Sequence, residues 1–373
     1  MARKLASLVK IQAVEPIPDT DRLSVATMEG KGWKVVVGRN DFQAGDYAVY
    51  FEIDSALPNE DRYAFLRDRC LRRFNTADGK TTLKECIRIK TIKLRGVVSQ
   101  GLLMPATKET FPELCNYPYP VDDLTEALHV EHYDDLVAAL RPRCGNVICA
   151  DALSPFPSYI PKTDEERIQN LVEYFDTMRD RVFEVTQKDD GSSVTMFFSP
   201  SNNEDEGNRF GVCSRNIRLK RENADGKVPL PWQVAAKYGV EEKLRKHWED
   251  TGYELALQGE LVGPNIQSNR DVLPGHEWHV FRIWNVTRQE FLNPATARRL
   301  CEKLEIPYVH VVSEYMQVFE KFHDVDELLA FAEGKTPRGN EREGLVFKSV
   351  DEPYLSFKAV SNRYLLKQAA KED

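Results

Sequence analysis

Short apolar runs rich in β-branched and aromatic residues fill the first third of the chain. Trp33–Gly38 and Tyr47–Ile53 are two such runs, and glycines or prolines bound them. Strands and turns prefer these residue types, and the 3.6-residue spacing of an amphipathic helix is weak here. Many short strands within about 110 residues predict a small β-barrel or a sandwich.

A further segment near residue 90 alternates basic with apolar residues. A strand there puts Arg88 and Lys90 on one face and Ile87 and Ile89 on the other. The alternation changes phase after Thr91, as a β-bulge would produce. One face is then core and the other is positively charged, which is frequent on small barrels that bind nucleic acid.

Charge is distributed unevenly along the chain. The 51 basic and 59 acidic residues give a net charge of −8, which argues against binding of polyanions by the whole surface. Residues 61–100 nevertheless carry eleven basic and four acidic side chains, whereas residues 109–140 carry eight acidic side chains and no basic one. A local nucleic-acid footprint and two ordinary solvated faces both fit this pattern.

Prolines between residues 118 and 161 separate the chain into two parts. With a length of 373 residues, they predict a barrel domain over residues 1–120, a helical and proline-rich connector over 121–160, and a larger domain over 161–373. Thr163–Glu166 has the form of a capping box and precedes apolar residues at helical spacing, so we expect a helix of about four turns there. Strands then mix with helices, an α+β pattern.

Composition indicates a soluble globular protein. Apolar residues make up 42% of the chain, and no run approaches the roughly 20 apolar residues of a transmembrane helix. Seven irregularly spaced cysteines argue against a disulfide framework. A zinc site would need the four residues His129, His132, Cys144 and Cys149, whose spacing matches no standard zinc motif. We expect a cytoplasmic monomer without membrane contact.

The sequence Lys188-Asp-Asp-Gly191 directly follows a strand-like run. A lysine beside a carboxylate and a glycine turn can act as a nucleophile when desolvation, nearby cations or a metal-bound substrate deprotonates its amine. The alternative is a charged hairpin, because Lys-x-Asp-Gly arises by chance in roughly one chain in ten of this length. The motif alone therefore decides little.

Five further segments downstream place polar residues at the ends of strand-like runs. They are Ser214–Asn216, Gln258–Asn265, Val280–Trp284, Glu343–Lys348 and Ser356–Ser361. Each alone is most simply a buried strand with a charged end. Together, in this order after Lys188, they resemble the signature elements of the covalent nucleotidyltransferase superfamily. That superfamily comprises polynucleotide ligases and messenger-RNA capping enzymes, which form a lysine-nucleotide phosphoramidate.

Within that superfamily the chain resembles RNA ligases of the Deinococcus and Naegleria type. Ile89–Leu102 and Phe156–Asn170 extend the resemblance over most of the chain. It implies an α+β nucleotidyltransferase (ATP-grasp-like ligase) domain preceded by an all-β OB-fold-like barrel. Only fifteen residues follow Lys358, too few for the carboxy-terminal barrel that DNA ligases and capping enzymes add.

The resemblance implies an ATP-dependent RNA ligase. Such an enzyme joins a 3′-hydroxyl to a 5′-phosphate, at nicks in a duplex or at bridged ends, through lysyl-AMP and RNA-adenylate intermediates. A DNA ligase or capping guanylyltransferase of the same superfamily stays open, as does a non-catalytic RNA-binding relative.

Roles for individual residues also follow from the resemblance. Lys188 is the implied nucleophile toward the α-phosphorus of ATP, and Lys348 and Lys358 are implied contacts of that phosphate. Arg215 would hold the ribose or the RNA 5′-phosphate. The carboxylates implied to bind Mg²⁺ or Mn²⁺ are Asp190, Glu260 and Glu343.

The implied nucleotide-binding residues are Gln187, Gly191 and Phe281, with Phe281 stacking on adenine and Gln187 reading the edge of the base. The residues expected to bind RNA are Arg88, Lys90, Lys93 and Arg95. Two positions depart from the pattern of related ligases. Ser356 stands where a lysine is frequent, and Arg282 stands where several ligases have an aspartate.

Overall fold

The computed structural model describes residues 3–75, 81–116, 123–140, 151–202, 207, 209–223 and 225–371. The chain forms two compact units. The first unit comprises Met1–Gly145, Ile168–Glu173 and Leu365–Asp373, and the second comprises Asn146–Arg167 and Tyr174–Tyr364. Cys144 and Cys149, which the zinc alternative requires, lie outside the described residues.

Strands dominate the first unit, as predicted. They are β1 (Ala6–Pro16), β2 (Leu23–Met28), β3 (Lys31–Gly38), β4 (Tyr47–Phe51), β5 (Ser55–Pro58), β6 (Leu71–Asn75), β7 (Thr82–Arg88), β8 (Thr91–Leu94), β9 (Val97–Gln100), β10 (Leu102–Pro105) and β11 (Glu131–His132). The helices are α1 (Arg67–Cys70) and α2 (Tyr133–Leu140), with 3₁₀ turns at Asp61–Leu66 and Pro112–Asn116.

These strands form a five-stranded sheet in the order β10-β4-β1-β2-β3, a four-stranded sheet in the order β11-β5-β7-β6, and the hairpin β8-β9. The long strand β1 pairs with β4 through Leu8 and with β2 through Val14, and its register shifts after Ile11. A shared, bent strand of this kind is how a small sheet curls around its core. The core includes the fully buried side chains of Trp33 and Tyr50.

A buried chain of hydrogen bonds runs through this unit. The indole Nε1 of Trp33 donates to Oδ1 of Asn170 at 2.7 Å, and Nδ2 of Asn170 donates to Oε1 of Glu52 at 2.6 Å. Arg3 donates from Nε to the other carboxylate oxygen of Glu52 at 3.0 Å. One amide side chain thus satisfies a buried donor and a buried acceptor, which would be costly to leave unpaired.

The segment near residue 90 differs from its prediction. It forms two strands in separate sheets. The chain leaves the four-stranded sheet of β7 at Ile89–Lys90 and then enters the hairpin β8-β9. Ile87 and Ile89 are buried, as the alternation predicted.

The acidic stretch predicted as part of a connector belongs to the first unit. Leu124, Leu128 and Val130 lie in its hydrophobic core with Phe51 and Tyr63. The apolar residues within 124–130 therefore contribute to the core of the first unit. The other part of the predicted connector that the structure describes, residues 151–160, belongs to the second unit.

The second unit mixes strands with helices, as predicted. Its strands are β12 (Ala152–Pro155), β13 (Glu166–Arg167), β14 (Val182–Lys188), β15 (Ser192–Phe198), β16 (Phe210–Cys213), β17 (Ile217–Leu219), β18 (Leu255–Val262), β19 (Glu277–Asn285), β20 (Glu290–Phe291), β21 (Val311–Gln317), β22 (Gly344–Ser349) and β23 (Ser356–Val360). The helices are α3 (Leu230–Lys237), α4 (Val240–Thr251), α5 (Pro294–Lys303), α6 (Val318–Lys321), α7 (Val325–Ala332) and α8 (Asn362–Lys371), the last of which continues into the first unit.

Two sheets frame the second unit. One has the order β12-β17-β16-β15-β18-β19-β20 and the other β13-β23-β22-β14-β21. The main core lies between α3, α4, α5 and the first of these sheets, around Trp278 and Leu257. Phe347 and Phe357 are fully buried in the other sheet.

The helix predicted from Thr163 does not form. Glu166–Arg167 is the short strand β13, parallel to β23, with Arg167 opposite Lys358. Ile168–Asn170 is a 3₁₀ turn. Pairing with a distant strand overrides the local capping pattern here, since capping contributes only about 1 kcal/mol. Within the described ranges, the structure has no helix long and apolar enough to cross a membrane.

Acidification is expected to destabilise the first unit through His132. Burial and the nearby charge of Arg3 lower the pKa of this imidazole, whose Nε2 lies 3.4 Å from Nη1 of Arg3. The unfolded chain therefore takes up a proton near pH 6.5 that the folded chain resists, so stability falls as pH drops through that value. Urea denaturation between pH 7 and pH 5 should show a smaller loss for His132→Gln than for the wild type. Equal slopes would contradict this.

Candidate active site

Strand pairing brings Lys188 to two glutamates from distant parts of the sequence. Lys188 ends β14 and pairs with Gly344, the first residue of β22, so its amine reaches Glu343 with an Nζ to Oε1 distance of 2.7 Å. Glu260 lies on β18 opposite Ser193, just after the turn that follows Lys188. The structure therefore brings two of the three carboxylates that the resemblance implied as metal ligands, Glu260 and Glu343, to the region of Lys188.

The electrostatics of this trio fix its charge state. Burial alone lowers the pKa of Lys188, but the charges of Glu343 and Glu260 outweigh burial and raise that pKa above its usual value. Burial raises the pKa of Glu260 to about 8, against the opposing charge of Lys188. Burial also raises the pKa of Glu343. At neutral pH the lysine is an ammonium held by a carboxylate, so a further step must remove its proton before it can act as a nucleophile.

Asp190 faces a different set of partners from the two glutamates. Its Oδ1 accepts from the hydroxyl of Tyr364 at 3.0 Å, and its Oδ2 accepts from Ser268 at 3.0 Å and from Nη2 of Arg270 at 3.2 Å. The Arg270 guanidinium also lies 4.6 Å over the Tyr364 ring. Both oxygens of this expected metal ligand are engaged, so in this structure Asp190 anchors the turn that follows Lys188.

Gly191 is required by close packing. A Cβ at this position would lie 2.4 Å from the carbonyl oxygen of Leu261 and 2.9 Å from Cγ of Glu260. Any larger residue would push the turn away from β18 and shift Lys188 relative to Glu260. The structure thus explains the glycine by the approach of two backbones, where the resemblance implied contact with the nucleotide.

Two further predicted cations share one carboxylate. Nζ of Lys358, on β23, donates to Oδ1 of Asp164 at 2.8 Å, and Nη2 of Arg215 lies 3.6 Å from Oδ2 of the same side chain. Burial lowers the pKa of Lys358, and the charges of Arg167 and Lys188 lower it further, whereas Asp164 raises it. Lys358 therefore lies within electrostatic reach of Lys188.

Lys348 lies in a separate buried network. Its Nζ donates to the backbone carbonyl of Phe281 at 2.7 Å and lies 3.6 Å from Oε1 of Glu184. The hydroxyl of Tyr308 donates to Glu184 at 2.9 Å, and Nη1 of Arg298 lies 3.4 Å from the other carboxylate oxygen. Burial lowers the pKa of Lys348 to about 8. This lysine joins β22, β14 and β19, whereas the resemblance implied a phosphate contact.

A cavity of about 250 Å³ opens beside Lys188. The polar residues in its wall include Gln187, Arg270, His279, His310, Arg338 and Glu343. Gln187 donates from Nε2 to Oδ1 of Asp189 at 2.7 Å, and His279 contacts the other oxygen of Asp189 through Nδ1 at 2.7 Å. The side chain of Phe281 is partly buried on the strand that carries His279.

Arg282 has a structural role within the second unit. Its guanidinium lies 4.4 Å over the ring of Phe291, donates to the carbonyl of Pro353 at 2.7 Å, and lies 3.6 Å from Glu165. These contacts explain why a cation, and not an acid, stands at position 282.

Sequence reasoning missed several residues of this site. Asp164, Arg167, Arg270 and His279 received no role, although the first two lie in the segment Phe156–Asn170 that carried part of the resemblance. The charged residues Asp164 and Arg167 within that segment were the signal that could have indicated a role in the site. Nothing local distinguished Arg270 or His279, because their partners come from positions about 80 and 90 residues away.

The four residues expected to bind RNA divide into two pairs. Arg88 lies 4.0 Å over the ring of Tyr133, and Lys90 donates to the carbonyl of Ala369 at 3.3 Å, so both are partly engaged within the first unit. Lys93 and Arg95 are exposed on the hairpin β8-β9, where Arg95 and Gly96 form its turn with positive φ angles.

In the second unit, a lysine at a strand end pairs with Glu343, and this pair lies beside a polar cavity on the two-sheet frame. Comparison with known families identifies the class of protein. A family model for RNA ligases matches residues 181–367, and a model for an OB-fold domain matches residues 5–106. The chain belongs to the RNA ligase family. The predicted family and the predicted order of barrel and nucleotidyltransferase domain are confirmed.

Solved structures of the Naegleria gruberi RNA ligase resemble the whole chain. An apo mutant is 32% identical with a TM-score of 0.81, covering 100% of this chain and 99% of that one. The complex with pyrophosphate is 32% identical with a TM-score of 0.80 and covers 100% of both chains. A lysine-to-alanine mutant with ATP and Mn is 32% identical with a TM-score of 0.79, covering 98% of this chain and 99% of that one. No curated protein matches the chain.

Replacement of Lys348 tests its structural role. Lys348→Met keeps the length of the side chain but leaves Glu184 without one of its two cations, so the free energy of unfolding should fall by about 3 kcal/mol. Adding Glu184→Gln should restore part of the lost stability, because the double variant no longer contains a buried carboxylate that has lost its lysine partner. Urea denaturation of both variants measures this. Unchanged stability of Lys348→Met would contradict the structural role.

Proposed function

We propose that the protein is an ATP-dependent RNA ligase that works in three steps. Lys188 takes AMP from ATP and expels pyrophosphate, the AMP passes to an RNA 5′-phosphate, and an RNA 3′-hydroxyl then displaces AMP and closes the strand. The observation that carries this proposal is the ion pair of Lys188 with Glu343, with Glu260 beside it, in a chain of the RNA ligase family.

The Naegleria ligase structures support the nucleotide and the metal. They contain ATP with Mn, AMP with Mn, or pyrophosphate. The residues replaced in several of them are, in chain order, a lysine, an aspartate two positions later, two glutamates and a lysine. The same types occur in the same order in this chain as Lys188, Asp190, Glu260, Glu343 and Lys358.

Glu260 and Glu343 fit a divalent cation by their chemistry. Both are carboxylates that lie close enough to interact, and burial raises the pKa values of both because it leaves their charged forms poorly solvated. Mg²⁺ and Mn²⁺ prefer such oxygen ligands. Over the residues that the structure describes, no three acidic, histidine or cysteine side chains form a complete metal-binding group. Water and substrate oxygens would therefore complete the coordination.

In the first step, side chains of this protein would hold the amine of Lys188 in position. A bound Mg²⁺ or Mn²⁺ would supply positive charge that favours the neutral amine over the ammonium. Glu343 holds Nζ at the end of β14, and Asp190 fixes the turn that follows. Lys358 supplies positive charge to the phosphate as that group becomes more negative in the transition state. Positioning and charge neutralisation then account for most of the rate, as in phosphoryl transfer generally.

The nucleotide base and the RNA have separate candidate contacts. For the base we propose stacking on Phe281 and contact with Gln187, next to the nucleophile. For RNA we propose the backbone phosphates of a nicked duplex or of bridged ends as ligands of Lys93 and Arg95, the two exposed cations of the hairpin β8-β9.

We also propose a monomer in the cytoplasm. The described cysteines Cys70, Cys86, Cys115, Cys213 and Cys301 are free thiols. A reducing compartment preserves such thiols, which supports this location.

Replacement of the nucleophile separates the steps. Lys188→Ala should lose the covalent AMP and the joining of RNA with a free 5′-phosphate, yet still seal RNA that already carries a 5′-adenylate. Intact-mass measurement after incubation with ATP, or with GTP, and divalent metal reports the adduct, and peptide mapping locates it. The exposed Lys227→Ala serves as the control and should behave as the wild type. An adduct on another residue, or one formed with GTP alone, would contradict the proposal.

The RNA contacts are tested by salt dependence. The double variant Lys93→Gln, Arg95→Gln should reduce the slope of log affinity for RNA against log salt by about 2, because it removes two phosphate contacts. Formation of the AMP adduct should stay unchanged. Lys108→Gln, another exposed cation of the first unit, is the matched control. An unchanged slope in the double variant would place the RNA contact elsewhere.

A further inference from the structure

Asp164 bridges two cations that come from separate strands. One carboxylate oxygen lies 2.8 Å from Nζ of Lys358, and the other lies 3.6 Å from Nη2 of Arg215. Two oxygens on one central atom, each facing one cation, is also the arrangement that a phosphate group would offer to the same pair. The carboxylate of Asp164 therefore offers Lys358 and Arg215 the same kind of contacts that a phosphate group would offer.

Exposure distinguishes the acid from the deeper cation. The side chain of Lys358 is 12% exposed, whereas that of Asp164 is 43% exposed. A buried ammonium needs a compensating anion, but an exposed carboxylate regains water when it leaves. Exchange of Asp164 for another anion at Lys358 is thus less costly than simple loss of the pair.

The backbone on either side of Asp164 is tied down. The carbonyl of Pro161 accepts from Nε2 of Gln258 at 2.7 Å, and Glu165 lies 3.6 Å from Arg282. Two residues further on, Arg167 pairs with Lys358 in the sheet. A change of side-chain rotamer at Asp164 would therefore release Lys358 while these neighbouring contacts stay in place.

We propose that Asp164 is a placeholder, which occupies the phosphate position at Lys358 and Arg215 in the free protein and leaves when a substrate phosphate arrives. The inference rests on the proposed ligase function and deepens it. The ligand class is a phosphate group, supplied either by ATP or by the 5′-phosphate end of RNA. The placeholder keeps Lys358 charged and positioned, and it competes with every phosphate that binds there.

Equilibrium binding to the full-length protein tests the proposal. In a Lys188→Ala background, which prevents covalent chemistry, calorimetry would measure the dissociation constants of ATP, 5′-phosphorylated RNA and 5′-hydroxyl RNA. Asp164→Asn should tighten at least one phosphate-bearing ligand by threefold to tenfold and leave 5′-hydroxyl RNA unchanged. Tightening of ATP alone assigns the position to the nucleotide, and tightening of 5′-phosphorylated RNA alone assigns it to the RNA end. Glu249→Gln, which replaces an exposed acid on α4, should change none of the three dissociation constants.

Unchanged or weaker binding of both phosphate ligands by Asp164→Asn would overturn the placeholder. A second measurement needs no variant at position 164. Crystal structures of the wild type with ATP and with 5′-phosphorylated RNA should show Asp164 away from Lys358 in at least one complex, and a persistent pair in both would overturn the proposal. Failure of the ligase function is separate, because it would appear as absence of the AMP adduct on wild-type protein.

Discussion

The ion pair between Lys188 and Glu343, with Glu260 beside it, is the interaction on which the site depends. It concentrates two acids and one ammonium at the ends of strands, where desolvation makes every charge costly unless it is paired. The same pairing leaves the lysine protonated in the free protein. In the free protein the amine is therefore not yet a nucleophile, and under the proposed function a bound divalent cation would favour its neutral form.

The surrounding structure restrains this trio from several sides. Asp190 fixes the turn after Lys188 through Tyr364 and Arg270, and Gly191 lets that turn approach β18. Asp164 extends the same principle to Lys358 and Arg215, the cations proposed to bind phosphate, because it pairs with both in the free protein. Lys188, Asp190 and Lys358 thus each have an oppositely charged partner within the second unit, which allows these buried charges to be compensated in the folded protein.

Part of the site could be predicted because the order of the motifs resembles a known family. The Lys-x-Asp-Gly motif alone decided little, and only the resemblance implied roles for Lys188, Glu260 and Glu343. The role of Asp190 could not be predicted, since its three partners come from a loop and a helix at least 78 residues away. In the sequence Lys348 and Lys358 are both cations on strands. In the structure Lys348 is buried, where it pairs with Glu184 and donates to the carbonyl of Phe281.

Sequence alone determined the strand-rich first unit, the α+β second unit and a candidate nucleophile, because these depend on residue types and alternation, and the order of its motifs carried the resemblance to the family. Tertiary structure decided where the backbone of Glu166–Arg167 pairs, and a distant strand there prevented the helix that local capping favoured. It also decided which acids face the lysine and which basic residues remain exposed. The physical reason is that a strand, an ion pair or a buried cation is satisfied by partners far away in the chain, which local patterns do not identify.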